Sequence, residues 1–238
     1  MIKLAADLHT HTISSGHAYA TVLEMAKAAA EMGLDAIGIA DHGPAMPNGC
    51  HDYYFSNMST LPRELYGIKL YRGAEANIID LEGNIDIAEI VLPYLDYVIA
   101  SMHINGVTPE GLTVEENTNM WKMAMDNPFV KILGHPGNPY YPINIEEFVA
   151  AAKEKSKIIE INDASFIVRP GSEKILKSIV SEAANQQVMM VINSDAHFIN
   201  RVGAFDHPLR LIEELKIDEE LIINTSIEKI EKYLRIVI

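Results

Sequence analysis

Seven short apolar runs punctuate the chain: IKLAA (2–6), AIGIA (36–40), KLYRGAE (69–75), YVIASMH (97–103), VKILGH (130–135), KIIEIN (157–162) and VMMVINS (188–194). They are too continuously apolar to have one wet face, so each reads as a strand covered on both sides. Helix start signals fall between them. Thr21 with Glu24, Thr113 with Glu116, Asn144 with Glu147 and Thr225 with Glu228 each place a capping residue three positions before a glutamate. Gly33 closes the first helix, and Pro128 stops the one that carries Trp121. Repeated β-then-α units give parallel strands with helices over them. The expected fold is therefore α/β, a closed (β/α)7 TIM-like barrel rather than an open doubly wound sheet. The tail, 221–238, offers at best a weak eighth strand before a last helix, in which KIEKYLR (229–235) reads as solvated and amphipathic. No repeat or Pro/Gly/Ser linker interrupts residues 1–238, so a single domain is expected, with the polar stretch 43–62 as a loop on the barrel mouth.

Charge narrows the partners. With 33 acidic against 19 basic residues the net charge is −14. A surface of that sign repels polyanions, so neither long nucleic acid nor an anionic membrane is an expected partner. The single cysteine, Cys50, cannot form an intrachain disulfide, and the N-terminus shows no basic segment followed by a long apolar one. No apolar run approaches the ~18 residues that span a bilayer. A cytoplasmic protein is expected, and nothing in the sequence fixes its oligomeric state.

The chemistry gathers in DLHTHTISSGH (7–17). Residues two apart on a strand point to the same side, so His9 and His11 can face one ion, and Asp195 with His197 repeats the arrangement after the last strand. His42, Glu75, His103 and His135 end intervening strands, and His17 follows the first. In a parallel barrel all these ends gather on one rim, where active sites are built. Nine candidate ligands exceed the three or four that one tetrahedral zinc takes, so two or three ions are implied. Only two of the nine are acids; three divalent cations would leave the pocket at about +4, which suits an anionic substrate such as a phosphate ester. His51 and His207 end no strand, and Cys50 beside His51 reads as incidental. MWKMAM (120–125) reads as core.

An ordered set of motifs, DLHTHTISSGH (7–17), ADHG (40–43), GAEAN (73–77), SMH (101–103), LGHPG (133–137) and NSDAH (193–197), resembles the PHP (polymerase and histidinol phosphatase) superfamily. EINDASF (160–166) followed by RPGSE (169–173) is similar to its YcdX-like branch of stand-alone phosphatases. The resemblance implies a distorted seven-stranded barrel around three divalent metal ions, usually zinc; the chemistry of an imidazole-rich donor set also admits iron, manganese or nickel. It implies that His9, His11, Glu75 and Asp195 hold one ion. Glu75 would bridge to a second held by His103 and His135, and His17, His42 and His197 would hold the third.

The expected activity is metal-dependent hydrolysis of a small phosphomonoester, in which a hydroxide held by the trinuclear centre attacks phosphorus in line. Glu75, Asp195, His197 and Arg201 are the expected catalytic residues, with Arg201 forking onto the non-reacting phosphate oxygens and Arg169 a second candidate. Asp7 and Asp41 could orient neighbouring histidines. Proton donation to the leaving group is better suited to a water on the metal than to a ligated side chain. The loop 43–62 and the segment 105–112 are the expected seat of substrate choice. An amidohydrolase is the rival enzyme, but the bridging lysine of that family is absent where SMH stands. A nuclease and a non-catalytic metal-dependent module are the other readings.

Overall fold

A computed structural model describes residues 2–104 and 106–236; Asn105 of the expected substrate segment, and Met1, Val237 and Ile238 at the ends, lie outside the described residues. Parallel strands β1 (Ala6–Thr10), β2 (Ala36–Ile39), β4 (Ile68–Asn77), β5 (Tyr97–Ser101), β6 (Val130–Leu133), β7 (Ile158–Asn162) and β8 (Met190–Asn193) follow one another round the sheet, with β3 (Glu64–Leu65) antiparallel beside β4. The helices are α1 (Val22–Glu31), α2 (Asp52–Asn57), α3 (Val114–Ala124), α4 (Ile145–Glu154), α5 (Ser165–Val168), α6 (Ser172–Gln186), α7 (Asp206–Leu215) and α8 (Ile227–Leu234). The sheet is nearly closed into the expected barrel. No described helix is long and apolar enough to cross a membrane.

Local chemistry accounts for most boundaries. Thr21 with Glu24 and Thr113 with Glu116 form complete capping boxes, and the Asn144 side chain accepts from the Glu147 N–H. Three expectations shift. The run 2–6 leads into the first strand and joins it only at Ala6; at Ala5 the carbonyl is shared by the N–H groups of Asp35 and Ala36, and the N–H donates to the Asn224 carbonyl. The last helix is capped by Ser226, not Thr225. The polar stretch 43–62 contains helix α2 and a further single turn.

Two apolar layers fill the fold. Inside the barrel, Leu8, Ala36, Tyr71, Tyr97, Ile99, Ile132, Ile158 and Val191 pack together. Ile223, Ile230 and Leu234 join them from the tail, so α8 is amphipathic as read but closes the barrel floor with its inner face. Each such burial is worth about 1.5–3 kcal/mol. Outside, Met25, Trp121, Phe148, Leu176 and Ile179 place the helices against the strands. Tyr97 lies close against two glycines: a Cβ on Gly38 would meet its hydroxyl at 1.9 Å and one on Gly73 its ring at 2.5 Å. That hydroxyl donates to the Leu8 carbonyl at 2.5 Å.

Closure between β1 and β8 is made differently from the other joints. The described residues contain a single backbone bridge there, Thr10 to Ala196, at the carboxyl end. Below it the gap is filled by the tail segment 222–224, whose backbone bridges Ile222 to Met190 and accepts from the Ala5 N–H at the Asn224 carbonyl (2.8 Å), and by side chains. Asn193 accepts from the Leu8 N–H at 2.9 Å. Asn224 donates to the carbonyls of Ala6 (2.8 Å) and Ile192 (2.6 Å) and accepts from the Ile192 N–H (3.2 Å). Two buried side-chain amides and the tail backbone thus stand in for the ladder bonds that these strands do not make with each other.

Candidate metal centre

The carboxyl ends of the strands bring all nine expected residues to one rim. Leu8 packs inside the barrel, yet its neighbour His9 reaches the interior carboxylate of Glu160; the β1–β2 register slips by one residue between Asp7 and Thr10 and breaks the alternation. Glu75, buried near the end of β4, is the hub. Its Oε2 lies 2.8 Å from His42 Nδ1, 3.3 Å from His9 Nε2 and 3.5 Å from His11 Nε2. Its Oε1 lies 2.8 Å from His135 Nε2 and 3.4 Å from His103 Nε2. Asp195 Oδ1 stands 3.2 Å from His11 Nε2 and 3.7 Å from His9 Nε2, and His197 Nε2 is 3.0 Å from His17 Nε2. Three groupings could each hold an ion: His9, His11 and Asp195; His42, Glu75 and His103; and His11, His42 and His197. His135 (φ 30°) and Asp195 (φ 58°) sit in left-handed backbone, which costs about 1–3 kcal/mol for such residues and is concentrated at functional sites.

Several residues that aim these rings were not foreseen. Glu160 on β7, fully buried, accepts from His9 Nδ1 at 2.7 Å, which turns His9 Nε2 toward Glu75. It also accepts from the His135 N–H (2.8 Å) and from the side chains of Asn162 (3.1 Å) and Asn193 (2.8 Å). A lone acid among the isoleucines of KIIEIN was the available signal. Asn77 Oδ1 accepts from His103 Nδ1 at 2.7 Å. Asp41 does act on a histidine, but through a relay: His11 Nδ1 donates to Ser15 Oγ at 2.9 Å and Ser15 donates to Asp41 at 2.6 Å. Among the described residues Asp7 orients no ring; it accepts from Ser194 and from the Gly203 N–H.

Burial and mutual proximity set the charges. Burial pushes His11, His17 and His135 down, and His103 down to about 4, so these imidazoles are neutral at pH 7, the form that binds metal. Burial alone would raise Glu75 and Asp195, but His9 and the other surrounding histidines hold both well below the usual carboxylate range. His9 is desolvated too, yet Glu160, Glu75 and Asp195 together hold it well above its ordinary value. His9 Nε2, His11 Nε2, His42 Nδ1 and Glu75 Oε2 are buried with no aligned hydrogen-bond partner among the described residues. A bound cation would displace the proton of His9, and the lone pairs then converging there without donors fit such an ion.

A cavity of about 770 Å³ opens over this cluster, with His17, His42, His103, Asp195 and His197 at its base and Arg169 and Arg201 on its wall. Arg169 is the nearer to the cluster, with Nη1 3.8 Å from Asp195 Oδ2. Arg201 pairs with the buried carboxylate of Asp163, which also accepts from His207 Nδ1 at 3.0 Å. Among the described residues His51 has no part in the cluster and stacks on Tyr53, while buried Cys50 donates to the Ser14 carbonyl.

The PHP domain model matches residues 7–164. A probable phosphatase of Caldanaerobacter subterraneus subsp. tengcongensis is 48% identical over 235 residues, 98% of this chain and 92% of that protein. A probable phosphatase of Acetivibrio thermocellus is 45% identical over 234 residues, 98% of this chain and 96% of that one. In fold, the chain is similar to histidinol phosphate phosphatase of Lactococcus lactis subsp. lactis, solved with zinc, L-histidinol and phosphate. The TM-score is 0.65 at 20% identity, over 90% of this chain and 94% of that one. On the family match and on the relatives that align with nearly its whole length, the chain belongs to the PHP domain family.

Proposed function

We propose that the chain is a metal-dependent phosphatase acting on a small phosphomonoester at a trinuclear centre. The observation that carries this is the single carboxylate of Glu75, met through its two oxygens by five imidazoles. In this reading His9, His11, Glu75 and Asp195 hold one ion, Glu75, His103 and His135 a second, and His17, His42 and His197 a third. Zinc is favoured by the ion in the Lactococcus structure. Divalent ions at such a site lower the pKa of water and offset charge on the attacking and leaving oxygens.

The chain's own groups do the rest. Glu160, Asn77 and the Ser15–Asp41 relay fix which ring nitrogen of His9, His103 and His11 faces inward. Arg169 and Arg201 receive the phosphate oxygens that the ions leave free. Asp163 anchors the Arg201 fork from behind.

Elemental analysis of purified protein, coupled to phosphate release from p-nitrophenyl phosphate, tests this. Close to three ions per chain and turnover abolished by a chelator are expected. A metal-loaded but inert protein would favour the non-catalytic module. Hydrolysis of cyclic amides with no phosphate released from any ester would favour the amidohydrolase.

A further inference from the structure

The mouth of the cavity bears on which alcohol leaves. Four large exposed apolar side chains line this one opening: Tyr19 (76% exposed), Ile167 (54%), Val168 (63%) and Phe198 (44%). Two of them stand on α5, a short helix fixed from below, where Asn162 Oδ1 accepts from both the N–H (2.9 Å) and the hydroxyl (3.1 Å) of Ser165. Tyr19 is held beside the rim by its N–H, which donates to the His197 carbonyl at 3.1 Å. An apolar collar over a polar base suits a ligand whose reacting end is ionic and whose remainder is not.

The charges at the opening select further. Its lining carries two guanidinium groups, of Arg169 and Arg201. Its only carboxylate among the described residues is Asp195, already engaged with the histidines. An ammonium on the leaving group would shed water against apolar walls and find, among the described lining residues, no carboxylate that is not already engaged, since Asp195 meets the histidines and Arg169, and Asp163 behind the wall holds Arg201.

We infer, on the phosphatase reading above, that this cavity selects phosphomonoesters of alcohols bearing an uncharged apolar or aromatic group and rejects those bearing an ammonium. L-Histidinol, the amino alcohol found in the Lactococcus protein, is of the rejected kind.

The test compares 2-phenylethyl phosphate with 2-aminoethyl phosphate. Both are esters of primary alcohols, so the contrast isolates the group that meets the collar. With metal-loaded protein, kcat/KM is expected to be at least about tenfold higher for the phenylethyl ester. Phe198→Ala should raise KM for that ester with little change in kcat. Val168→Glu should narrow the gap by supplying the missing anion. By calorimetry, 3-phenylpropylphosphonate should bind more tightly than 3-aminopropylphosphonate. Equal or reversed preference while p-nitrophenyl phosphate is cleaved overturns the inference and leaves the phosphatase reading intact. No phosphate from any of the three esters overturns the reading itself.

Discussion

Replacing Glu160 by glutamine should loosen the metal centre without touching any residue expected to hold an ion. The carboxylate takes four donors on two oxygens: His9 Nδ1 and Asn193 Nδ2 on Oε1, the His135 N–H and Asn162 Nδ2 on Oε2. An amide keeps one acceptor and turns an NH2 group against the other pair of donors. Each buried donor left facing another costs about 1–3 kcal/mol. Two such clashes, partly relieved by rotation, give about 3 kcal/mol. In a chain of 238 residues that lowers Tm by about 6–12 °C. The ring of His9 also loses the charged acceptor that points its Nε2 inward, so zinc affinity should fall about 10–100-fold. Melting followed by circular dichroism in chelator reads the first effect, and competition with a chromophoric chelator reads the second. A variant melting within a degree of the parent and binding zinc equally well would refute the assignment of Glu160.

Glu75→Gln should abolish phosphate release while leaving the circular dichroism spectrum of a folded barrel; full turnover would contradict the bridging role. Gly38→Ala drives a methyl group into the Tyr97 hydroxyl and should lower stability by about 1–3 kcal/mol in denaturant titrations, with Tyr97→Phe recovering part of the loss. Asn224→Leu removes three buried hydrogen bonds and should cost about 3 kcal/mol, read as a lower denaturant midpoint; an unchanged midpoint would show that the gap is closed by other means.

The barrel and its rim were legible because their signals are local. An apolar run ending in histidine or glutamate marks both a strand and the end of it that faces the site, as at Glu75, His103 and His135. Glu160 was missed because its partner, His9, lies 151 residues away. Asp7 was misjudged for a related reason: the slip in β1 depends on the register with β2, a property of two strands and not of one. The run 2–6 announced burial, which Leu4 and Ala5 confirm, but apolarity cannot tell a strand from the segment that leads into it. The role of α8 was hidden likewise, since its apolar stripe says that it packs and only the assembled barrel says against what. Arg201 looked closest to the chemistry by spacing along the chain, whereas in space Arg169 is the guanidinium beside Asp195.

The gap that Asn224 stitches has a consequence for the proposed ions. His9 and His11 stand on one side of it, on or just after the first strand, and Asp195 and His197 stand on the other, just past the last. A cation shared by His9, His11 and Asp195 would rivet the first stave of the cask to the last, at the joint the peptide chain leaves loosest. Amides flanking that joint, such as those of Leu8 and Ile192, would then exchange hydrogen more slowly on loading than amides at the opposite side of the hoop, tying the mechanical integrity of the wall to the supply of the ion.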